Sequence, residues 1–130
     1  MVAVGRFDGS SKGNPGPSHI GYVIFSDETE KNEITRYSKS IEDGTNNEAE
    51  YKALLLLTQR IWKLGIEKII IKGDSKLIIN HVNGQWKCKA EHLKSLLSQV
   101  KRMLNNIPNW KLVWEPREKN AIANRLADGK

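Results

Sequence analysis

Residues 2–9 (VAVGRFDG) alternate apolar and polar side chains, the period-two pattern of a strand with one face in a core, and run into a cluster of turn formers from Ser10 to Pro17. Residues 19–26 (HIGYVIFS) are rich in β-branched and aromatic side chains, and 33–41 (EITRYSKSI) alternate again, with polar Asp27 to Asn32 between them. Three sequential strands on short links predict an antiparallel meander. From Asn47 the period changes: Ala49, Ala53, Leu54, Leu56, Leu57, Ile61 and Leu64 recur at three and four, and Gly65 stands where a helix-ending glycine belongs. Thr45 and Glu48 have the T-x-x-E spacing of a capping box, so this helix of about five turns begins just after Thr45.

Ile66 to Lys72 predicts a short strand whose run Ile69-Ile70-Ile71 implies burial on both faces; it ends at Gly73-Asp74-Ser75, ahead of a second helical stretch through Val82. A strand, a helix and a strand in that order imply a parallel pair with a right-handed crossover. Asn83 to Lys89 (NGQWKCK) is a basic, aromatic loop, and Ala90 to Asn105 is an amphipathic helix with Leu93, Leu96, Leu97, Val100 and Leu104 on one face. Residues 110–115 (WKLVWE) form a fifth strand, Pro116 breaks it, and Asn120 to Ala127 reads as a last helix. The order βββαβααβα argues an α/β (mixed α+β) class: a five-stranded mixed sheet, its first three strands antiparallel and its last two parallel, flanked by helices.

Composition adds bounds. At 130 residues, with 38% hydrophobic and 28% charged, the chain is expected to form one domain over 1–130 whose core needs no disulfide or metal staple. The single Cys88 excludes an intrachain disulfide and a four-cysteine zinc site. No apolar run approaches the roughly 18 residues of a membrane span, and Met1 to Arg6 lacks the apolar core of a secretory leader, so a soluble monomer in the reducing cytosol is the expectation. Lys and Arg number 21 against 15 Asp and Glu, and the net charge of +6 favours a polyanionic partner.

Three acidic positions stand out. Asp8 lies at the centre of the alternating first strand, where both propensity and burial disfavour it; the alternative is that the strand ends early and Asp8 opens the turn with Gly9. Asp74 sits at the carboxyl end of a buried strand, where α/β sheets bind ligands, and could equally cap the helix that follows. Glu48 is claimed by the capping box, whereas Glu50, two residues on and about 200° around the helix, points elsewhere, either to a site or to solvent.

The segments F-D-G-S-S-K-G-N-P-G-P, T-N-N-E-A-E-Y-K-A-L, G-D-S-K-L-I-I-N and R-E-K-N-A-I-A-N-R-L-A, spread over residues 7 to 127, resemble the four ordered motifs of the ribonuclease H type 1 family, in its archaeal or bacterial form. The resemblance implies an endonuclease that cleaves the RNA strand of RNA/DNA hybrids with two Mg²⁺ ions, or Mn²⁺ in their place, leaving 5′-phosphate products. Asp8, Glu50 and Asp74 match three of the family's four catalytic, metal-binding carboxylates, with Asp8 the candidate to bridge the ions. Converging carboxylates repel one another and become tolerable around divalent cations, which take oxygen ligands and activate water. The fourth position departs from the family: Asn124 stands in place of its aspartate, as a natural variant with a weakened metal site or as an engineered change that keeps binding and slows cleavage. Asp128, one turn on and about 6 Å along the axis, is a poor substitute.

The same resemblance implies nucleic-acid contacts. Asn14, Asn46 and Asn47 match positions that read the minor groove, where the 2′-hydroxyl marks RNA, although turn and cap chemistry would also explain them. Thr45 and Ser75 match positions near a DNA-strand phosphate, Trp86 falls where an aromatic residue lines the DNA channel with Lys87 beside it, and Lys76 replaces a frequent glutamine. Arg117 stands in the region where many relatives carry a flexible histidine, and its permanent charge cannot cycle as a proton carrier. His19, His81 and His92 read as structural or solvated. Two other readings remain open: a hybrid-binding module that has lost useful catalysis, and a nuclease of the same fold acting on double-stranded RNA.

Overall fold

The alternation of the first strand is realised over a longer span than expected. In the computed structural model, which describes residues 1–129, β1 (Ala3–Ser11) pairs antiparallel with β2 (Gly16–Phe25), and β2 with β3 (Glu33–Gly44). Helix α1 (Asn46–Lys63) follows, then β4 (Lys68–Gly73), α2 (Lys76–Val82), α3 (Glu91–Leu104), β5 (Asn109–Trp114), a 3₁₀ turn at Arg117–Lys119 and α4 (Ala121–Ala127). The sheet order is β3-β2-β1-β4-β5, with β1–β4 and β4–β5 parallel. The expected topology is present. The turn residues after β1 tighten into a short hairpin link, so both strands run on beyond the expected boundaries, and the last helix starts one residue late because a 3₁₀ turn precedes it.

Alternate residues of β1 serve two cores. Ala3 and Phe7 join the large cluster with Tyr51, Leu54, Leu57, Ile71, Leu93 and Leu104, whereas Val4 joins Val23, Phe25 and Leu126 in a small one under α4. Helices α1, α2 and α3 therefore cover one face of the sheet and α4 part of the other. That asymmetry corrects the expectation for Ile69-Ile70-Ile71. Ile69 and Ile71 are buried, but Ile70 is only half-buried, because α4 lies over β1 and β2 and leaves its face of β4 without a helix. An ionic cluster occupies the space beside it: the buried Arg6 guanidinium binds Glu30 and, at 2.7 Å, Glu115, and Lys72 reaches the same two carboxylates at 3.3 and 3.5 Å. Each charge in such a cluster needs the others, since burial of an unpaired one is costly.

Two glycines set how closely the helices approach. A Cβ on Gly9 would lie 2.3 Å from the Ala49 backbone of α1, and a Cβ on Gly21 would lie 2.4 Å from Leu126 Cβ and 2.7 Å from the Ala127 nitrogen of α4. Gly21 is the β2 partner of Asp8, so both close contacts bracket the same stretch of sheet from opposite sides. Gly5 offers a control: its Cβ would meet side-chain tips alone, Leu57 at 3.2 Å and, at ordinary contact distance, Ile69 at 3.5 Å. Gly9→Ala and Gly21→Ala are each expected to cost about 1–3 kcal/mol or more, by forcing backbone apart, and Gly5→Ala distinctly less, since Leu57 can shift. Urea unfolding of the three variants measures the ranking.

Candidate active site

β4 stops before β1 does. Their pairing runs from Ala3–Ile69 to Arg6–Lys72, while β1 continues to Ser11. Asp8 thus stands beyond the last paired residue of β4, and Asp74 follows directly as that strand ends. From β1 the chain passes to β2 and from β4 to β5, in opposite directions along the sheet, so the crevice between the carboxyl ends of β1 and β4 is the kind of place where α/β folds hold ligands. Close packing of Ala49 on Gly9 brings the second turn of α1, and with it Glu50, to the same gap. One carboxylate oxygen from each of Asp8, Glu50 and Asp74 lies within 4.8 Å of the others.

The structural duties nearby belong to other residues. Thr45 accepts from the Glu48 N–H at 3.1 Å while the Glu48 carboxylate accepts from the Thr45 N–H at 2.9 Å, a complete capping box. Ser75, not Asp74, caps α2, accepting from the Ile78 N–H at 3.3 Å. The cap alternative for Asp74 is therefore overturned, as is the turn alternative for Asp8, which lies inside β1 at 5% exposure.

Burial and mutual repulsion dominate the electrostatics. Desolvation first, then the charge of Asp74, pushes Asp8 up to about 7; desolvation first, then the charge of Asp8, pushes Glu50 up to about 8. The interaction between the two carboxyls raises Glu50 and lowers Asp8, Ser75 beside Glu50 lowers it, and the Arg117 charge draws Asp8 part of the way back down. The donor set is all oxygen, with no histidine or cysteine among the three, which suits a hard divalent cation and not zinc.

Asp74 is held twice. Trp114 donates its indole N–H to the Asp74 carbonyl at 3.1 Å, and Asn120 donates its amide to Asp74 Oδ2 at 3.1 Å and to the Phe7 carbonyl at 3.0 Å. Asn120, fully buried, ties β1 to the carboxylate at the end of β4, a task that the sequence reading, which used it only to open the last helix, did not assign. The available signal was its place in the R-E-K-N-A-I-A-N segment, a polar residue just ahead of an apolar helix. Among the described residues its buried Oδ1 has no partner, nor has Oδ1 of Asn124, whose Nδ2 donates to the Arg117 carbonyl at 3.1 Å. The Asn120 oxygen, on the residue that binds Asp74, adds an unsatisfied acceptor beside three crowded carboxylates, as a site for a cation and the water it binds would offer. Asp128 is exposed at the end of α4.

The other expected residues divide into two groups. Asn14 Oδ1 accepts from the Asn46 N–H at 2.8 Å and Asn46 Oδ1 from the Ser11 N–H at 2.8 Å, so the link after β1 is tied to the start of α1, where Thr45 and Asn47 also lie. Among the described residues, the amide N–H₂ groups of Asn14 and Asn46 and the whole side chain of Asn47 have no protein partner. Ser75 and Lys76 open α2, the Lys76 ammonium resting 4.6 Å from the Trp114 ring centroid, and Trp86 and Lys87 are exposed in the loop after α2. Arg117 is exposed on the 3₁₀ turn. The histidines are occupied elsewhere or solvated: His19 binds Ser38 and Ser40, His81 binds the Tyr51 hydroxyl at 2.8 Å, and His92 is exposed.

A sheet in this order, with carboxylates gathered where β1 and β4 diverge, defines the ribonuclease H class of fold. The chain belongs to the ribonuclease H type 1 family, and a family model described as reverse transcriptase-like matches residues 6–129. The structure is similar to that of RNase H1 from the halophilic archaeon Halobacterium salinarum, with a TM-score of 0.93 and 30% identity over 98% of this chain and 96% of that one. It is similar also to LC11-RNase H1, solved in complex with an RNA/DNA hybrid, with a TM-score of 0.90 and 33% identity over 98% of this chain and 94% of that one. Among curated proteins, Ribonuclease HI of Halobacterium salinarum is 31% identical over 94% of this chain, and the bifunctional protein Rv2228c of Mycobacterium tuberculosis is 33% identical over 98%. The chain spans 60% of the length of the first and 35% of the second.

The raised carboxyls give a pH signature. A group whose pKa is higher folded than unfolded lends stability that is present below its unfolded value, near 4, and is lost as pH rises through the folded value. In chelating buffer the melting temperature is therefore expected to fall between about pH 5 and pH 8, the window from the unfolded values to Asp8 at about 7 and Glu50 at about 8. Asp8→Asn should flatten that fall and raise the metal-free melting temperature at pH 8 by a few degrees, roughly the effect of 1 kcal/mol. Thermal melts of both proteins at pH 5, 6.5 and 8 in EDTA check it.

Proposed function

We propose that this chain is an endonuclease that hydrolyses the RNA strand of RNA/DNA hybrids. The observation that carries the reading is the meeting of Asp8, Glu50 and Asp74 within 4.8 Å at the end of β4, with the capping tasks beside them taken by Glu48 and Ser75. Residues 1–130 act as one nuclease domain and as a monomer in the cytosol, where the buried Cys88 stays a thiol.

Asp8, Glu50, Asp74 and the free carbonyl oxygen of Asn124 would hold two Mg²⁺ ions, for which Mn²⁺ can substitute. When bound, the ions lower the pKa of an attacking water and stabilise the leaving 3′-oxygen, so that the products carry 5′-phosphates. The chain's own groups supply position. Asp8, whose pKa responds to Glu50, Asp74 and Arg117, would contribute to holding both ions. Asn120 and Trp114 fix Asp74 before substrate arrives, which keeps the site from reorganising during the reaction. Arg117 brings positive charge to the Asp8 side, where a scissile phosphate would lie.

The free amides of Asn14, Asn46 and Asn47 present donors and acceptors to the minor groove and its 2′-hydroxyls. Thr45 and Ser75 lie near a DNA-strand phosphate, Lys76 beside them, and Trp86 with Lys87 lines the DNA channel. The structure solved for LC11-RNase H1 with an RNA/DNA hybrid supports this choice of duplex. One feature favours a second reading, a hybrid-binding module with slow cleavage: Asn124 brings a neutral amide to the fourth ligand position, and an amide binds Mg²⁺ more weakly than a carboxylate.

The deciding experiment incubates an end-labelled RNA/DNA hybrid with Mg²⁺, in competition with double-stranded RNA and double-stranded DNA. Cleavage confined to the hybrid's RNA strand, with 5′-phosphate ends and full loss in EDTA, is expected; products that persist in EDTA would refute the reading, and preferential cleavage of double-stranded RNA would reassign the substrate. Asn124→Asp separates the two readings. It should tighten Mg²⁺ binding and raise turnover while leaving hybrid affinity in EDTA unchanged, because the added charge acts on the ion as the reaction proceeds. Mg²⁺ titrations of rate for both proteins measure the difference.

A further inference from the structure

Outside the carboxylate site lies an open groove of about 620 Å³ between the loop after α2 and the outer face of α3. Lys87, Lys94, Lys101 and Arg102 line it, no carboxylate among the described residues does, and Trp86, 49% exposed, stands on its wall together with Leu97. Lys94 is bonded to Glu91 at 2.8 Å, whereas Lys87, Lys101 and Arg102 have no acidic partner among the described residues. Cations in the last turn of α3 complement the helix dipole, which accounts for Lys101 and Arg102 taken alone. It does not account for a matching cation and an open tryptophan on the facing wall, nor for the absence of any acidic side chain between them.

We infer that this groove holds the sugar-phosphate backbone of the duplex beyond the cleavage site, so that Lys101 and Arg102 on α3 extend the nucleic-acid footprint past the residues named for it above. This inference rests on the proposed hybrid nuclease function. Its position fits. Helix α2 starts at Ser75, next to Asp74, and its seven residues carry the chain about 10 Å to the groove. From Lys94 to Arg102 the wall of α3 runs about 12 Å further, which along a duplex axis spans three to four phosphates of one strand at roughly 3.4 Å of axis each. Charge complementarity names the occupant: polyanionic, extended, with a face that a tryptophan can stack on or cover.

The test measures affinity in EDTA by fluorescence anisotropy, on hybrids of 8 and 20 base pairs, for the wild type and the Lys101→Gln, Arg102→Gln double variant. Lys63→Gln with Lys68→Gln, two exposed positions away from the groove, removes the same charge as a control. The groove variant should bind the 20-pair hybrid about tenfold more weakly, with the slope of log K against log salt reduced by about 2, and should match the wild type on the 8-pair hybrid. The control should lose little on either length. Unchanged binding and slope on the long hybrid would overturn the inference, as would equal losses on both lengths or equal losses in the control, since these reflect net charge alone. Mg²⁺-dependent cleavage of the 8-pair hybrid is assayed in parallel. If the wild type cuts neither hybrid, the nuclease reading fails, while the length dependence of affinity still decides whether the groove binds the duplex.

Discussion

Everything at the site depends on two backbones touching. Because Gly9 has no side chain, Ala49 of α1 packs directly on β1, and that contact carries Glu50 to a carboxylate it would otherwise repel. On the opposite face Gly21 lets α4 come equally close beside the same residue, Asp8. The large apolar cluster under α1 and α3 holds the first contact, and the smaller cluster of Val4, Val23, Phe25 and Leu126 holds the second. Hydrophobic burial thus supplies the energy that keeps like charges together, and the cost is visible in Asp8 and Glu50, both raised well above ordinary carboxyls.

Polar groups around the cluster show a division of labour. Glu48 and Ser75 take the caps, so Glu50 and Asp74 are left for other chemistry. Asn120 and Trp114 restrain Asp74 from two directions, and Asn124 and Asn120 each present a buried amide oxygen with no partner among the described residues. Arg6, Lys72, Glu30 and Glu115 form a separate ionic cluster on the same face of the sheet as α4, over the part that the helix does not cover. Cations and carboxylates satisfy one another there, which is the condition that the three acids of the site lack on their own.

Much of this was legible in the chain because local signals agreed with one another. Period-two alternation in the first strand, the T-x-x-E box at Thr45 and Glu48, and Gly65 after the helix each belong to one element, and each appears where the pattern put it. The expected separation of Glu48 from Glu50 followed from helix geometry alone. What stayed hidden depends on contacts between elements. Ile70 was expected to be buried on the strength of its neighbours, but its exposure is set by the reach of α4, some fifty residues later in the chain. Asn120 gave no sign of clamping Asp74 because its partners, Phe7 and Asp74, are distant in sequence. The groove along α3 was invisible for a related reason: its Lys and Arg residues read as the solvated face of an amphipathic helix until the loop carrying Trp86 is seen folded against it.

Burial and mutual repulsion raise Asp8 and Glu50 far enough that the pair carries a proton near neutral pH, which a bound divalent cation would displace. Titration calorimetry of Mg²⁺ at pH 7, in two buffers of different ionisation enthalpy, measures it directly, since metal binding at a protonated site releases protons. Release of about one proton for each protein saturated is the expected result, with release reduced or lost in Asp8→Asn. Binding heats that are independent of the buffer, or an Asp8→Asn variant that binds and releases as the wild type does, would contradict it.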